Sequence, residues 1–114
     1  PPYAEGVGDR ENLCLKPEEI ALLHRLRPHC EKLIVILFSG RPLLINEALP
    51  LADAFLAAWL PGTEGDGITD VLFGDYPFTG KLSFFWPQTH EQIPLTTLHE
   101  SGTAPLFPLG YGLT

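Results

Sequence analysis

Short apolar runs separated by Pro- and Gly-rich punctuation set the pattern of this chain. Leu33–Phe38, LIVILF, is apolar throughout and rich in β-branched residues. Such a run predicts a strand buried on both faces, the habit of a parallel sheet. Upstream, Ile20, Leu23 and Leu26 recur at helical spacing with Leu22 alongside. Pro17 suits a first helical position, and Glu18 and Glu19 suit the positive end of the helix dipole. The pattern predicts a helix from Pro17 that ends near Arg27, before Pro28. Ser39-Gly40-Arg41-Pro42 reads as a turn, Pro42–Ile45 as a short extended piece and Asn46–Leu51 as a connector. Periodicity alone leaves Ala52–Trp59 open: its alanines favour helix, its shortness and the Pro61-Gly62 that follows favour a buried strand. Ile68, Val71 and Leu72 predict a short helix over Asp66–Phe73, capped by Asp66 or Thr63.

The remaining stretches are less periodic. Residues 1–15 read as a loop in which Glu5, Asp9 and Arg10 sit among Ala4, Gly6 and Gly8; such a loop can place a carboxylate at a surface or cleft. Gly74–Gly80 is turn-rich. Lys81–Trp86 predicts a strand that Pro87 ends. Gln88–Thr103 is polar with isolated apolar residues. Pro105–Thr114, PLFPLGYGLT, is too proline-rich for a helix and reads as a closing segment able to pack on a sheet edge. Alternation of helices with buried strands predicts an α/β fold, a layered arrangement on a mostly parallel sheet.

Composition narrows the function. At 114 residues the chain is one domain or part of one. Its net charge is −7 with only seven Lys plus Arg, scattered rather than striped. Binding to a nucleic-acid backbone, which needs clustered cations, is not expected. The apolar runs are strand-sized, so no membrane partner is expected. There is no Met, the first residues are Pro-Pro, and no signal peptide is visible; an excised or processed segment is expected, and the compartment stays open. Cys14 and Cys30 are too few for a disulfide framework and lack zinc-type spacing. Free thiols are expected, with a single Cys14–Cys30 bridge as the alternative.

Little of the candidate chemistry survives comparison with structural roles. Glu64, Asp66 and Asp70 fall at a helix start, where acids favour the dipole. His24, His29, His90 and His99 show no metal spacing, so no metal site is expected. Ser39 lacks the G-x-S-x-G elbow of a serine hydrolase. Gly6-Val7-Gly8 lacks the third glycine of a dinucleotide fingerprint, which counts against a flavodoxin-like ligand module. Arg41 stands at the end of a predicted strand, the edge where open α/β sheets bind ligands, but bonds to nearby carbonyls are the expected role. Asp9 and Arg10 are expected to pin their loop by a local ion pair or backbone bonds. Trp59 and Trp86 are expected in the core; Tyr3 is open between packing and stacking on a sugar face.

Three blocks in order carry a family resemblance: LFSGRPLLI at Leu37–Ile45, ADAFLAAWLPGTEGDGITDVLFGDYPFTGKL at Ala52–Leu82, and PLFPLGYGLT at Pro105–Thr114. With them the chain resembles the C-terminal α/β sandwich domain of glycoside hydrolase family 3, the β-glucosidases and β-xylosidases. The resemblance favours the strand reading of Ala52–Trp59. It implies a partial domain over residues 1–114, incomplete at its N-terminal side and separated from a (β/α)8-like barrel that supplies a nucleophilic aspartate. PPYAEGVGDR resembles the acid/base loop of the exo-glucanase-like branch, with Glu5 three residues ahead of Gly8-Asp9. Glu5 is thereby implied as general acid/base, with Tyr3, Asp9 and Arg10 binding substrate or positioning the loop. Ser83 stands where the family more usually has proline, a change expected to be tolerated.

The implied activity is hydrolysis of β-linked glucosides or oligosaccharides by a retaining exo-β-glycosidase. The implied partners are that substrate and the barrel domain, and no cofactor is implied. The family resemblance allows an extracellular or periplasmic location. The alternative is an orphan α/β interaction or sugar-contacting domain without catalysis. An α/β sheet lacking its first strands exposes an edge, so the isolated chain is expected to be inactive and marginally stable or self-associating.

Overall fold

The computed structural model describes residues 6, 9–94 and 102–113. The chain forms two compact units, Pro1–Leu60 and Pro61–Thr114.

In the first unit, helix α1 spans Pro17–Leu26. Its start is secured by the Glu19 carboxylate, which accepts the Lys16 N–H at 2.8 Å. A 3-10 turn, Arg27–His29, carries the chain through Pro28. The Cys30 thiol donates to the Leu26 carbonyl at 3.3 Å, satisfying one of the carbonyls that a helix end leaves open. Ile20 and Leu23 are half-buried, whereas Leu22 and Leu26 are exposed, so the apolar stripe is only partly covered.

Strand β1, Ile34–Phe38, pairs in parallel with β2, Ala54–Trp59, from Ile34 opposite Ala54 to Phe38 opposite Trp59. Ala52–Trp59 is therefore extended in its last six residues. The α/β class with a parallel sheet holds, but burial on both faces of β1 does not. Its ends, Ile34 and Phe38, are exposed and its middle half-buried. The described residues supply only these two strands. The parallel crossover between them needs a long connection. Here it runs through a second parallel contact, Cys14 with Leu44, and the 3-10 turn Leu49–Leu51. Leu13, Leu44, Ile45 and Ala48 form the buried core of the unit.

Asp53 joins three elements at the N-terminal end of the sheet. Its carboxylate accepts from Arg27 Nη1 at 2.7 Å and from the Leu33 N–H at 2.8 Å, with Lys32 Nζ 3.5 Å away. The Leu33 N–H holds the Asp53 carboxyl below the ordinary aspartate value of 3.8; partial desolvation opposes this, and the charges of Arg27 and Lys32 add to it. A group lowered in the folded state contributes stability that is present above the unfolded value and is lost as pH falls through the folded one. Asp53→Asn should therefore lower the melting temperature at neutral pH. The difference from wild type should shrink towards zero below the folded value. A deficit that persists unchanged in acid would assign the loss to packing.

In the second unit, helix α2 spans Gly65–Phe73. Its N-cap is Glu64 without a side-chain cap bond, so neither Asp66 nor Thr63 plays the expected capping role. Gly74, at φ +91°, ends it in the left-handed conformation that glycine adopts without strain, and the Asp75 N–H returns to the Asp70 carbonyl at 2.8 Å.

Residues 81–86 do not form the expected strand. They run antiparallel to the closing segment, touching it at two places. Leu82 exchanges bonds with Tyr111 and Gly110 at 2.9 and 2.8 Å, and Trp86 with Phe107 and Leu106 at 2.8 and 2.9 Å. Pro105, Pro108 and Pro87 have no N–H to extend the ladder, so pairing reduces to a single bridge, Trp86 with Phe107. Phe107 and Tyr111 stack with centroids 4.4 Å apart. A Cβ on Gly112 would run into the Gly80 carbonyl oxygen, so the approach requires glycine there. The closing segment thus packs on residues 81–86. Trp86 is buried at 3% exposure, as expected of a core tryptophan. Gln92, at the end of the 3-10 turn His90–Gln92, is fully buried.

Candidate functional site

The C-terminal end of the β1–β2 pair gathers the side chains with most chemical interest. A bulge between Leu37 and Phe38 puts Phe38 opposite Trp59 rather than Ala58. Trp59 takes φ +55°, a left-handed conformation unusual for a bulky residue. Its carbonyl accepts the Ser39 N–H at 3.1 Å, which closes the strand pair. Trp59 is half-buried, so the expectation of a core tryptophan is corrected here: the position is a strained strand end.

Ser39, 4% exposed, then sets the turn. Its Oγ accepts the Arg41 N–H at 3.2 Å and donates to the Arg41 carbonyl. Pro42, also buried, fixes the backbone that follows. Arg41 is held by its own backbone before its side chain makes any contact.

Among the described residues the Arg41 guanidinium meets a carboxylate and not the nearby carbonyls expected of it. Nη2 meets Asp9 Oδ1 at 2.6 Å, across 32 residues of sequence. Asp9 accordingly pins its loop through a distant ion pair and not through Arg10. The Arg10 guanidinium turns to the Cys14 carbonyl at 3.3 Å, a backbone bond within the loop. Asn12 Oδ1 accepts the Cys14 N–H at 2.9 Å, and the Leu13 carbonyl accepts from Leu44 at 2.9 Å. The Asp9 N–H donates to the Gly6 carbonyl at 3.0 Å, closing a turn in which Gly6 has φ +58°.

Tyr3 and Glu5 lie outside the described residues. Of the other candidates, Glu64 and Asp66 stand at the start of α2 and Asp70 lies within it. Among the described residues no group of three His, Cys, Asp or Glu side chains is arranged to hold a metal ion. Cys14 and Cys30 are free thiols. No helix among the described residues is long and apolar enough to cross a membrane. Sequence reasoning missed the Asp9–Arg41 pairing and the grip of Ser39; the clue was a polar Ser-Gly-Arg-Pro turn directly after an apolar strand.

The family profile described as glycosyl hydrolase family 3 C-terminal domain matches residues 3–114. The chain is 33% identical to a periplasmic beta-glucosidase of Salmonella typhimurium, covering 97% of this chain and 17% of that protein. It is 33% identical to a beta-xylosidase of Formosa agariphila, covering 94% of this chain and 17% of that one. Among solved structures, the exo-1,3/1,4-beta-glucanase of a Pseudoalteromonas species superposes with a TM-score of 0.83 at 44% identity, covering 98% of this chain and 15% of that one. A parallel α/β sheet and a family match along nearly the whole chain define the class: this chain belongs to glycosyl hydrolase family 3, within its C-terminal domain. It spans about one sixth of the length of these relatives.

Proposed function

We propose that this chain supplies the acid/base loop of a retaining exo-β-glycosidase that hydrolyses β-linked glucosides, with Glu5 as the general acid/base. In this reading the chain is part of the second domain of a two-domain enzyme. The nucleophilic carboxylate stands on a barrel elsewhere in the same polypeptide. The observation that carries the proposal is the family match from residue 3 onward, taken with a loop that is held to the sheet four residues after Glu5. Asp9 is tied beside the C-terminal end of the strands, where open α/β sheets present ligand-binding groups.

The chemistry needs two carboxyl groups about 5–5.5 Å apart across the scissile bond. One attacks the anomeric carbon and forms a covalent glycosyl-enzyme. Glu5 protonates the departing oxygen and, once ionised, takes a proton from the water that releases the sugar. Burial against the barrel and substrate would raise its pKa enough to hold a proton near neutral pH. The beta-glucosidase, beta-xylosidase and exo-glucanase names of the relatives share a β-linked substrate and differ in the sugar, which favours the linkage over any one glycone.

Two displacements at one carbon preserve its configuration. Proton NMR of the full-length protein acting on a β-glucoside should show the β-anomer of the sugar first, with the α-anomer rising later by mutarotation. An α-anomer released first would overturn the retaining mechanism and move the carboxylates about 6.5–9.5 Å apart.

A further inference from the structure

We propose that Arg41 is a positioning residue for the acid/base carboxylate: it ties Asp9, four residues after Glu5 in the sequence, to the C-terminal end of β1. This rests on the reading of Glu5 given above.

Arg41 is built as a fixed post. The buried Ser39 hydroxyl bonds both its N–H and its carbonyl, and the buried Pro42 follows. From that post the guanidinium reaches Asp9 at 2.6 Å. The Asp9 N–H in turn bonds the Gly6 carbonyl, so the clamp acts on the residue next to Glu5. Downstream the loop is tied again where Leu13 meets Leu44. The segment between these ties is short, and its Arg10–Cys14 and Asn12–Cys14 bonds stiffen it.

Energetics separate placement from stability. The Asp9 side chain is 66% exposed and that of Arg41 29%, so the pair is screened and contributes about 0–1 kcal/mol to folding. Arg41 Nε is buried without a partner among the described residues. An orphaned donor of that kind works against stability. The pair therefore does little for the folded state as a whole, yet it determines where one end of the loop lies. General acid catalysis is sensitive to that: a displacement of about 1 Å can cost on the order of 100-fold in rate.

The test compares leaving groups in the full-length protein. For each variant, kcat/KM is measured on an alkyl β-glucoside, whose leaving oxygen needs a proton, and on 2,4-dinitrophenyl β-glucoside, whose leaving group does not. Arg41→Gln and Asp9→Asn should each lower kcat/KM on the alkyl glucoside by about 10–100-fold and on the dinitrophenyl substrate by far less. Arg41→Lys should fall less than Arg41→Gln, and the exchange Asp9→Arg with Arg41→Asp should recover part of the loss. Activity on the dinitrophenyl substrate also reports whether each variant folds. If Arg41→Gln does not fold, Asp9→Asn at its exposed position carries the test.

Glu5→Gln is run in parallel. If Glu5→Gln is leaving-group selective while the Asp9 and Arg41 variants are unaffected, or lose equally on both substrates, the clamp is overturned and the role of Glu5 stands. If Glu5→Gln is not selective, the acid assignment fails, and the clamp fails with it. Selectivity at all three positions, with recovery on charge exchange, supports both.

Discussion

Glu5→Gln in the full-length protein should reduce kcat/KM on alkyl β-glucosides by about 10²–10⁴-fold, the usual contribution of a positioned general acid. That loss corresponds to about 3–5 kcal/mol of transition-state stabilisation. Glutamine fills the same space and can still donate a hydrogen bond, but it has no proton to give up. The first step alone governs kcat/KM, so a dinitrophenyl leaving group, which departs as a stable anion, should hide the defect in this constant. It should not hide it in kcat, because release of the glycosyl-enzyme still needs a base to activate water. In Glu5→Ala, added azide should restore kcat, since azide attacks without losing a proton. The trapped product should be the β-glycosyl azide. Unchanged kcat/KM on both substrate classes would remove Glu5 from the reaction.

The second large effect is on folding. Gln92→Leu should destabilise the second unit by about 3 kcal/mol or more, although the volumes are close. Gln92 is fully buried and joins two stretches that the intervening sequence separates. Its Oε1 accepts from the Gln88 and Thr89 N–H groups at 2.6 and 3.4 Å. Its Nε2 donates to the Thr103 and Ala104 carbonyls at 2.8 and 3.1 Å. Leucine would leave these backbone groups without that partner, at about 1–3 kcal/mol for each that stays buried and dry. For a unit of this size each kcal/mol is worth roughly 4–8 °C in melting temperature. Thermal denaturation measures the sum, and amide exchange at Gln88 and Thr89 should quicken first. A Gln92→Leu protein that melts with wild type would show that water or rearranged backbone replaces the amide.

Legibility followed the range of the interactions. Helix α1 and the short helix α2 were visible because their spacing, first-turn acids and stop signals lie within a few residues of each other. The strand at Ile34–Phe38 was visible because apolar β-branched runs have few alternatives. Local apolarity cannot count neighbouring strands, so the predicted burial of both faces of β1 failed. Lys81–Trp86 has strand composition, but its partner segment carries prolines where a ladder needs donors, and that partner lies about twenty to thirty residues away. The capping expectation at α2 failed because a cap depends on backbone angles at one residue, and Glu64 occupies the place.

The candidate site divides the same way. The sequence by itself determined the family, through ordered local blocks. Through the family it indicated the role implied for Glu5 and a place for Asp9 and Arg10 beside it. Covalent neighbourhood is enough for that, because motif residues close in sequence are close in space. Only the tertiary structure decided what holds the loop: Asp9 with Arg41 across 32 residues, and the serine that sets the arginine. No spacing rule encodes such a pair, since its distance depends on how folding brings the turn after β1 to the segment before α1. The same holds for Asp53 at the opposite end of the sheet and for Gln92 in the second unit. Each was an unremarked polar residue in the sequence, and each gains its role from backbone groups that folding brings to it.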